Sequence, residues 1–199
     1  MGMGTGMETT DTAQQDQADM ERLAKGQDAA LNDLIERHAG PVYQFLFRML
    51  NNEEDANDFA QETFARVYRH RESYDGGKFT TWLYTIAANL AKNEYRRRGR
   101  HPNVSLDAAT DEGGTIADTL AATGAGPGEQ ADGAERDAAV RRSVDGLPAE
   151  LREAVVLCEW EELSVADAAA VLNTTKKAVE SRLYRARQKL REQLSKWLL

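Results

Sequence analysis

One cysteine, four prolines and three histidines are all that 199 residues offer of those types. A lone Cys158 excludes an internal disulfide and any cysteine cluster for zinc. It lies in an apolar helical run and reads as a core residue rather than a redox sensor. His38, His70 and His101 stand far apart and none forms a Glu-x-x-His pair, so a helical carboxylate-metal enzyme lacks its ligands. No apolar run approaches the roughly 20 residues of a membrane span. The acidic, polar N-terminus does not fit a secretory signal. With strand-favouring residues sparse and Ala, Leu, Glu and Arg abundant, the expectation is an all-α, cytoplasmic chain with no cofactor and no membrane contact of its own.

What is present is charge, and it is sorted. The net charge of −8 would argue against nucleic acid if it were evenly spread. From Lys78 to Arg100 there are six Lys/Arg against one acidic residue, Glu94. From Thr174 to Lys196 there are eight against two. The acid lies elsewhere: five acidic and no basic residues in Met1–Glu21, and five in Asn51–Glu62. Locally basic patches, not the total, decide whether phosphate can dock.

Periodicity divides the chain. Residues 1–17 are Gly, Thr, Gln and Asp and are expected to be a disordered tail. An N-terminal helical bundle is expected over 18–101. Apolar spacing runs from Met20 through Leu34, Val42, Phe45 and Met49, with Gly40-Pro41 inside it to kink or divide the helix. Asn51-Asn52 is a turn, and a helix follows from about Glu54 to His70. Ser73 to Lys78 is a loop, and Phe79 to Arg98 is a further helix with Trp82, Leu83, Ile86 and Leu90 along one side. Residues 102–134 are loose, Gly-rich and acidic, and read as a flexible linker. A second small domain is expected over 135–199.

That second domain carries the most telling pattern. Ser164 can cap a short helix, with Asp167 three residues on, and Val165, Ala168, Ala169 and Leu172 share a face. Asn173-Thr174 breaks the pattern, and Thr174 can cap a longer helix held by Val179, Leu183, Ala186 and Leu190. The opposite face offers Lys176, Lys177, Glu180, Ser181, Arg182 and Arg185. A helix anchored by one stripe and cationic in front suits a DNA major groove. Lys176, Lys177, Glu180 and Ser181 are placed to reach base edges, and Arg182 and Arg185 to grip phosphates or adjacent bases. Glu180 is either a cytosine reader or a tolerated solvent residue.

Two further groups stand in the first domain. Tyr74, Lys78, Trp82, Asn89 and Lys92, followed by Arg96, Arg97 and Arg98, combine aromatic and cationic side chains, as unstacked bases and their backbone require. Asn89 is intrinsically unfavourable in mid-helix, which points to a hydrogen-bonding duty. Asp55, Asp58, Gln61 and Glu62, with Phe64, lie at near-helical intervals. An ordinary charged surface is the default reading of that face, since acidic residues at a helix start also complement the dipole.

The order of these pieces resembles the sigma factors of bacterial RNA polymerase in their two-domain, extracytoplasmic-function (ECF) form. Asp55-Ala-Asn-Asp-Phe-Ala-Gln-Glu-Thr-Phe64 is similar to the family's polymerase-binding helix. Phe79 through Arg98 resembles its melting and −10-reading helix. Leu147-Pro-Ala-Glu-Leu-Arg-Glu-Ala-Val-Val-Leu157 with Ser164 to Leu190 resembles its −35-reading domain. Glu180 departs from the pattern, where relatives often carry a basic or small residue, which bears on the −35 sequence.

The resemblance implies a specificity subunit and not an enzyme. Asp55, Asp58, Gln61, Glu62 and Phe64 would bind core RNA polymerase at the largest-subunit clamp, with a further contact at its flap. Lys176, Lys177, Glu180, Ser181, Arg182 and Arg185 would hold the −35 element of promoter DNA as duplex. Tyr74, Lys78, Trp82, Asn89, Lys92 and Arg96–Arg98 would capture the melted −10 strand. Members of the branch are commonly restrained by an anti-sigma factor, a partner class that the linker permits. The competing reading is a stand-alone helix-turn-helix regulator that binds a palindromic duplex without polymerase. The absence of a coiled-coil heptad or a ligand pocket in the sequence weighs against it.

Overall fold

A computed structural model describes residues 5–100 and 127–197 of the chain, and within them all regular structure is helical. Four helices form the first half: α1 (Thr5–Ala24), α2 (Ala29–Leu50), α3 (Glu53–Arg69) and α4 (Phe79–Arg100). The second half holds α5 (Pro127–Asp145), α6 (Ala149–Val155), α7 (Val165–Val171) and α8 (Lys176–Gln193). α6 widens at its end into a π-helical turn, Val156–Trp160.

The expectation of a disordered tail to Gln17 is wrong, because α1 begins at Thr5. Two of its acidic residues, Asp16 and Asp19, are buried. Asp16 accepts from Arg37 Nε at 3.0 Å and stands 2.8 Å from His38 Nε2. Asp19 accepts from Arg37 at 2.5 Å and from Arg22 at 2.8 Å. Met20 and Leu23 complete the helix's buried face. Partnered carboxylates can be buried where lone ones cannot, and their partners lie a helix away in sequence.

α2 runs unbroken through Gly40-Pro41. Pro41 is exposed, so the backbone bond that it cannot make is lost on the wet side. Val42, Phe45, Leu46 and Met49 hold the following turns in the core. Asn51, in the left-handed region at φ 51°, ends the helix. Asn52 then caps α3 by accepting from Asp55 N at 2.9 Å.

α5 starts at Pro127, so helix reaches back into the stretch expected to be linker up to residue 134. Residues 102–126 of that stretch, and His101 before it, lie outside the described residues.

The two halves pack against one another. α7 lies on α4, and the π-helical turn lies on α2. Arg152 of α6 crosses the boundary: its guanidinium donates to Met49 O at 3.0 Å and to the Tyr95 hydroxyl at 2.8 Å. Tyr84 of α4 donates to Glu161 Oε2 at 2.5 Å, and Arg48 of α2 stands 3.6 Å from Glu161 Oε1. Burial pushes the Glu161 carboxyl above the usual carboxylate range, and these two partners only partly offset it. Burial also drives the Tyr84 phenol far up, with the nearby Glu161 charge acting in the same sense.

Candidate nucleic-acid interface

The helix-turn-helix forms where the sequence puts it, with one cap moved. Ser164 Oγ accepts from Asp167 N at 3.1 Å and donates to Asp167 Oδ2 at 2.8 Å, which starts α7. Asn173, at φ 49°, makes the turn. Thr174 was expected to cap α8, but Thr175 does so, accepting from Ala178 N at 3.2 Å. The backbone N–H of Thr174 is still closing the end of α7 on Ala169 O at 2.9 Å. Two adjacent threonines look alike in sequence; the backbone bond distinguishes them.

Val179, Leu183 and Ala186 bury one stripe of α8. Lys176, Lys177, Glu180, Ser181 and Arg185 are exposed opposite it. Arg182 differs, being half-buried and 3.3 Å from Glu150. The sequence reading missed Tyr184, which is 64% exposed. It falls one turn beyond Glu180 and two beyond Lys176, so helical spacing places it on the outward face. Gln188 donates to its hydroxyl at 3.0 Å.

A second face is built on α4 and the loop before it. Tyr74, Phe79 and Trp82 form a ring cluster, with Tyr74 5.3 Å from Trp82 and 6.3 Å from Phe79 between centroids. Trp82 is only half-buried, so one side of that cluster is reachable. Trp82, Asn89 and Arg96 recur every seventh residue and share one side of the helix. Asn89 and Arg96 are exposed there, and Lys92 is half-buried. Gly76 takes φ +81°, a backbone state that side chains rarely adopt, and it bends the loop. Lys78 Nζ lies 2.9 Å from Asp167 Oδ2, and Thr81 donates to the other oxygen of Asp167 at 3.4 Å. The start of α7 therefore covers the start of α4.

The arginine cluster divides. Arg97 donates twice to Glu94 at 2.7 Å. Arg98 donates to Glu94 at 2.8 Å and to Leu50 O at 3.2 Å, and also to Asp55. The Arg97 bond, opposed by burial and joined by Arg98, holds the buried Glu94 carboxyl below its usual range. Arg98 thus ties the end of α4 to α2 and α3.

The acidic face of α3 also divides. Asp55 is held by Arg98, and Glu62 by Arg66 and Arg69 at 2.8 Å each. Asp58 and Gln61 are exposed. Phe64 is buried and floors an apolar groove of about 520 Å³ between α2 and α3. Leu31, Ile35, Tyr43, Ala60 and Tyr68 line it. The α2 members were invisible as a site because their spacing reads equally well as core.

Among the described residues no group of His, Cys, Asp and Glu could hold a metal ion. None of their helices is long and apolar enough to cross a membrane.

Known proteins share this arrangement. The family model described as Sigma-70 region 2 matches residues 34–101, and that described as Sigma-70, region 4 matches residues 137–190. The ECF RNA polymerase sigma factor SigW of Bacillus subtilis is 34% identical over 178 residues, which cover 88% of this chain and 94% of that one. The ECF RNA polymerase sigma factor SigE of Mycolicibacterium smegmatis is 36% identical over 176 residues, 87% of this chain. The match spans 66% of that relative's length. Among solved structures, CnrH in complex with the cytosolic domain of CnrY is similar at a TM-score of 0.66 and 26% identity, over 91% of this chain and 97% of that one. The sigma factor RpoE in complex with the anti-sigma factor NepR, from Bartonella quintana, is similar at a TM-score of 0.63 and 25% identity, over 82% and 96%.

Proposed function

The chain belongs to the extracytoplasmic-function branch of the sigma-70 family, and from that premise we propose that it directs core RNA polymerase to promoters by gripping DNA at two places. α8 enters the major groove of the −35 element. Lys176, Lys177 and Ser181 face base edges, Arg185 faces phosphate, and Tyr184 adds an apolar surface of the kind that meets a thymine methyl. The α4 face and the Tyr74–Lys78 loop take one base from the melted −10 strand, with Trp82 as a stacking surface and Asn89 as a hydrogen-bonding group. Unstacking a base costs a few kcal/mol, which contacts made elsewhere must offset. A tether between the modules makes the second contact intramolecular, at an effective concentration on the order of millimolar.

The groove between α2 and α3, rimmed by Asn57 and Gln61 with Asp58 exposed on the same helix, receives an element of the polymerase largest subunit. Its apolar floor and polar rim have the make-up of a protein-binding surface. Lys78 and Thr81 are engaged by Asp167 in the packed arrangement. Strand capture therefore requires α7 to leave α4. A partner of the anti-sigma class that held the halves together would keep the −10 face shut.

The observation that carries the reading is the pairing of an apolar-anchored, outward-cationic α8 with an aromatic and cationic α4 face on one chain. The test is run-off transcription by core polymerase on a promoter library, with and without the protein. Promoter-selective transcripts that depend on it are expected. A competent polymerase yielding none would refute the assignment.

A further inference from the structure

Helix α1 lies ahead of the stretch that matches region 2, which begins at residue 34. Yet it touches the loop assigned above to the −10 strand. Gln17 Oε1 stands 2.9 Å from the Tyr74 hydroxyl, 57 residues away in sequence. The same hydroxyl also reaches Gly77 O, at the far end of the loop. Gln17 Nε2 in turn donates to Glu21 at 3.2 Å, so the amide is oriented from its own helix.

The backing continues beneath the loop. Asp16, the neighbour of Gln17, holds His38, whose ring packs on Phe79 at 5.2 Å. Phe79 lies in turn against Tyr74 and Trp82. A Cβ added at Gly76 would come within 3.5 Å of Gln17 Nε2, so the bend of the loop rests against this same side chain.

Resting on the function proposed above, we infer that Gln17 is a positioning residue for −10 recognition. It fixes the Tyr74 ring and, through it, the curvature of the Tyr74–Lys78 loop. A loop of two glycines and few contacts would otherwise sample many shapes, and a pocket for an extruded base works only when its walls are held in place. Gln17 touches no DNA in this scheme. Its loss should lower discrimination between bases and leave the docking of the polymerase alone.

The experiment uses the full chain with core polymerase and a promoter set carrying every single-base change in the −10 element. Gln17→Ala should reduce the ratio of open-complex formation on the preferred promoter to that on the variants by about fivefold, the scale of one hydrogen bond. Affinity for core polymerase and the −35 preference should not move. Tyr74→Phe should give at least this loss, since it also removes the hydroxyl's contact with Gly77 O, and the double variant no more than Tyr74→Phe alone. Gln15→Ala, an exposed change on the same helix, is the control. A ratio equal to wild type in Gln17→Ala overturns the inference, as does an additive double variant. Loss of transcription in proportion to core affinity would also overturn it, showing a structural role only. Failure of the wild-type protein to support any promoter-selective transcript is a different result, and refutes the function on which this rests.

Discussion

Lys78, just ahead of α4, and Asp167 of α7 are 89 residues apart in sequence and 2.9 Å apart across the boundary between the two halves. The carboxylate stands where a strand phosphate would have to lie to meet Lys78. Both side chains are partly exposed, so the pair contributes about 1 kcal/mol or less.

Replacing Asp167 by Asn should therefore raise the affinity of the free chain for single-stranded −10 DNA modestly, about threefold, the scale of a weak surface pair. Fluorescence anisotropy with a labelled oligonucleotide measures it. The Asp167 carboxyl is pushed up by burial but pulled further down by Lys78 and Ser164, to a net value below its ordinary one. Its contribution to packing is thus complete above the ordinary range and lost as pH falls through the lowered value. Unchanged affinity in Asp167→Asn would show that α7 does not compete with the strand.

Glu153 predicts the opposite pH behaviour. It is buried on α6, and burial raises its carboxyl, with Lys92 and Arg182 opposing and Glu150 adding. A raised carboxyl contributes stability that is present below the ordinary value and lost as pH rises through the shifted one. At neutral pH the charged form is a net cost. Glu153→Met should stabilise the chain by about 1–2 kcal/mol at pH 7, and the gain should shrink as pH falls toward 4.5. Denaturant melts at several pH values decide it; a gain independent of pH counts against burial of the charge as its cause.

On α8 the exposed residues should separate by salt. Lys177→Ala should weaken holoenzyme binding to −35 duplex and reduce the slope of log affinity against log salt by about one. Tyr184→Ala should weaken binding by about 1 kcal/mol and leave the slope alone, since it removes apolar contact and no charge. Equal slope changes in both would mean that Tyr184 does not face a base.

Ala60 is half-buried on α3 and lines the groove between α2 and α3, so a longer side chain there would fill it. Ala60→Arg should reduce affinity for core polymerase at least about tenfold, as a blocked interface centre does, with the melting temperature within a few degrees of wild type. Retained core affinity would move the docking surface elsewhere.

Much of this was legible in the sequence. The stripe Val179, Leu183, Ala186 and the cap at Ser164 depend on residues within one turn, and local pattern reads them well. What failed depends on partners far along the chain. α1 looked like solvated tail because Arg37 and His38, which accompany its carboxylates, lie a helix later. The ties of Arg98 could not be read either, because Glu94, Asp55 and Leu50 O assemble around it only in the fold. The α2 wall of the groove went unseen because Leu31 and Ile35 carry the spacing of core residues.

Trp160 sits at the end of the π-helical turn with the Arg48 guanidinium 5.6 Å above its ring. The indole belongs to one half and the cation to the other. Any parting of the two must strip that charge from the ring and wet it, so the molecule contains its own optical gauge of how far it has opened, readable in emission without a label.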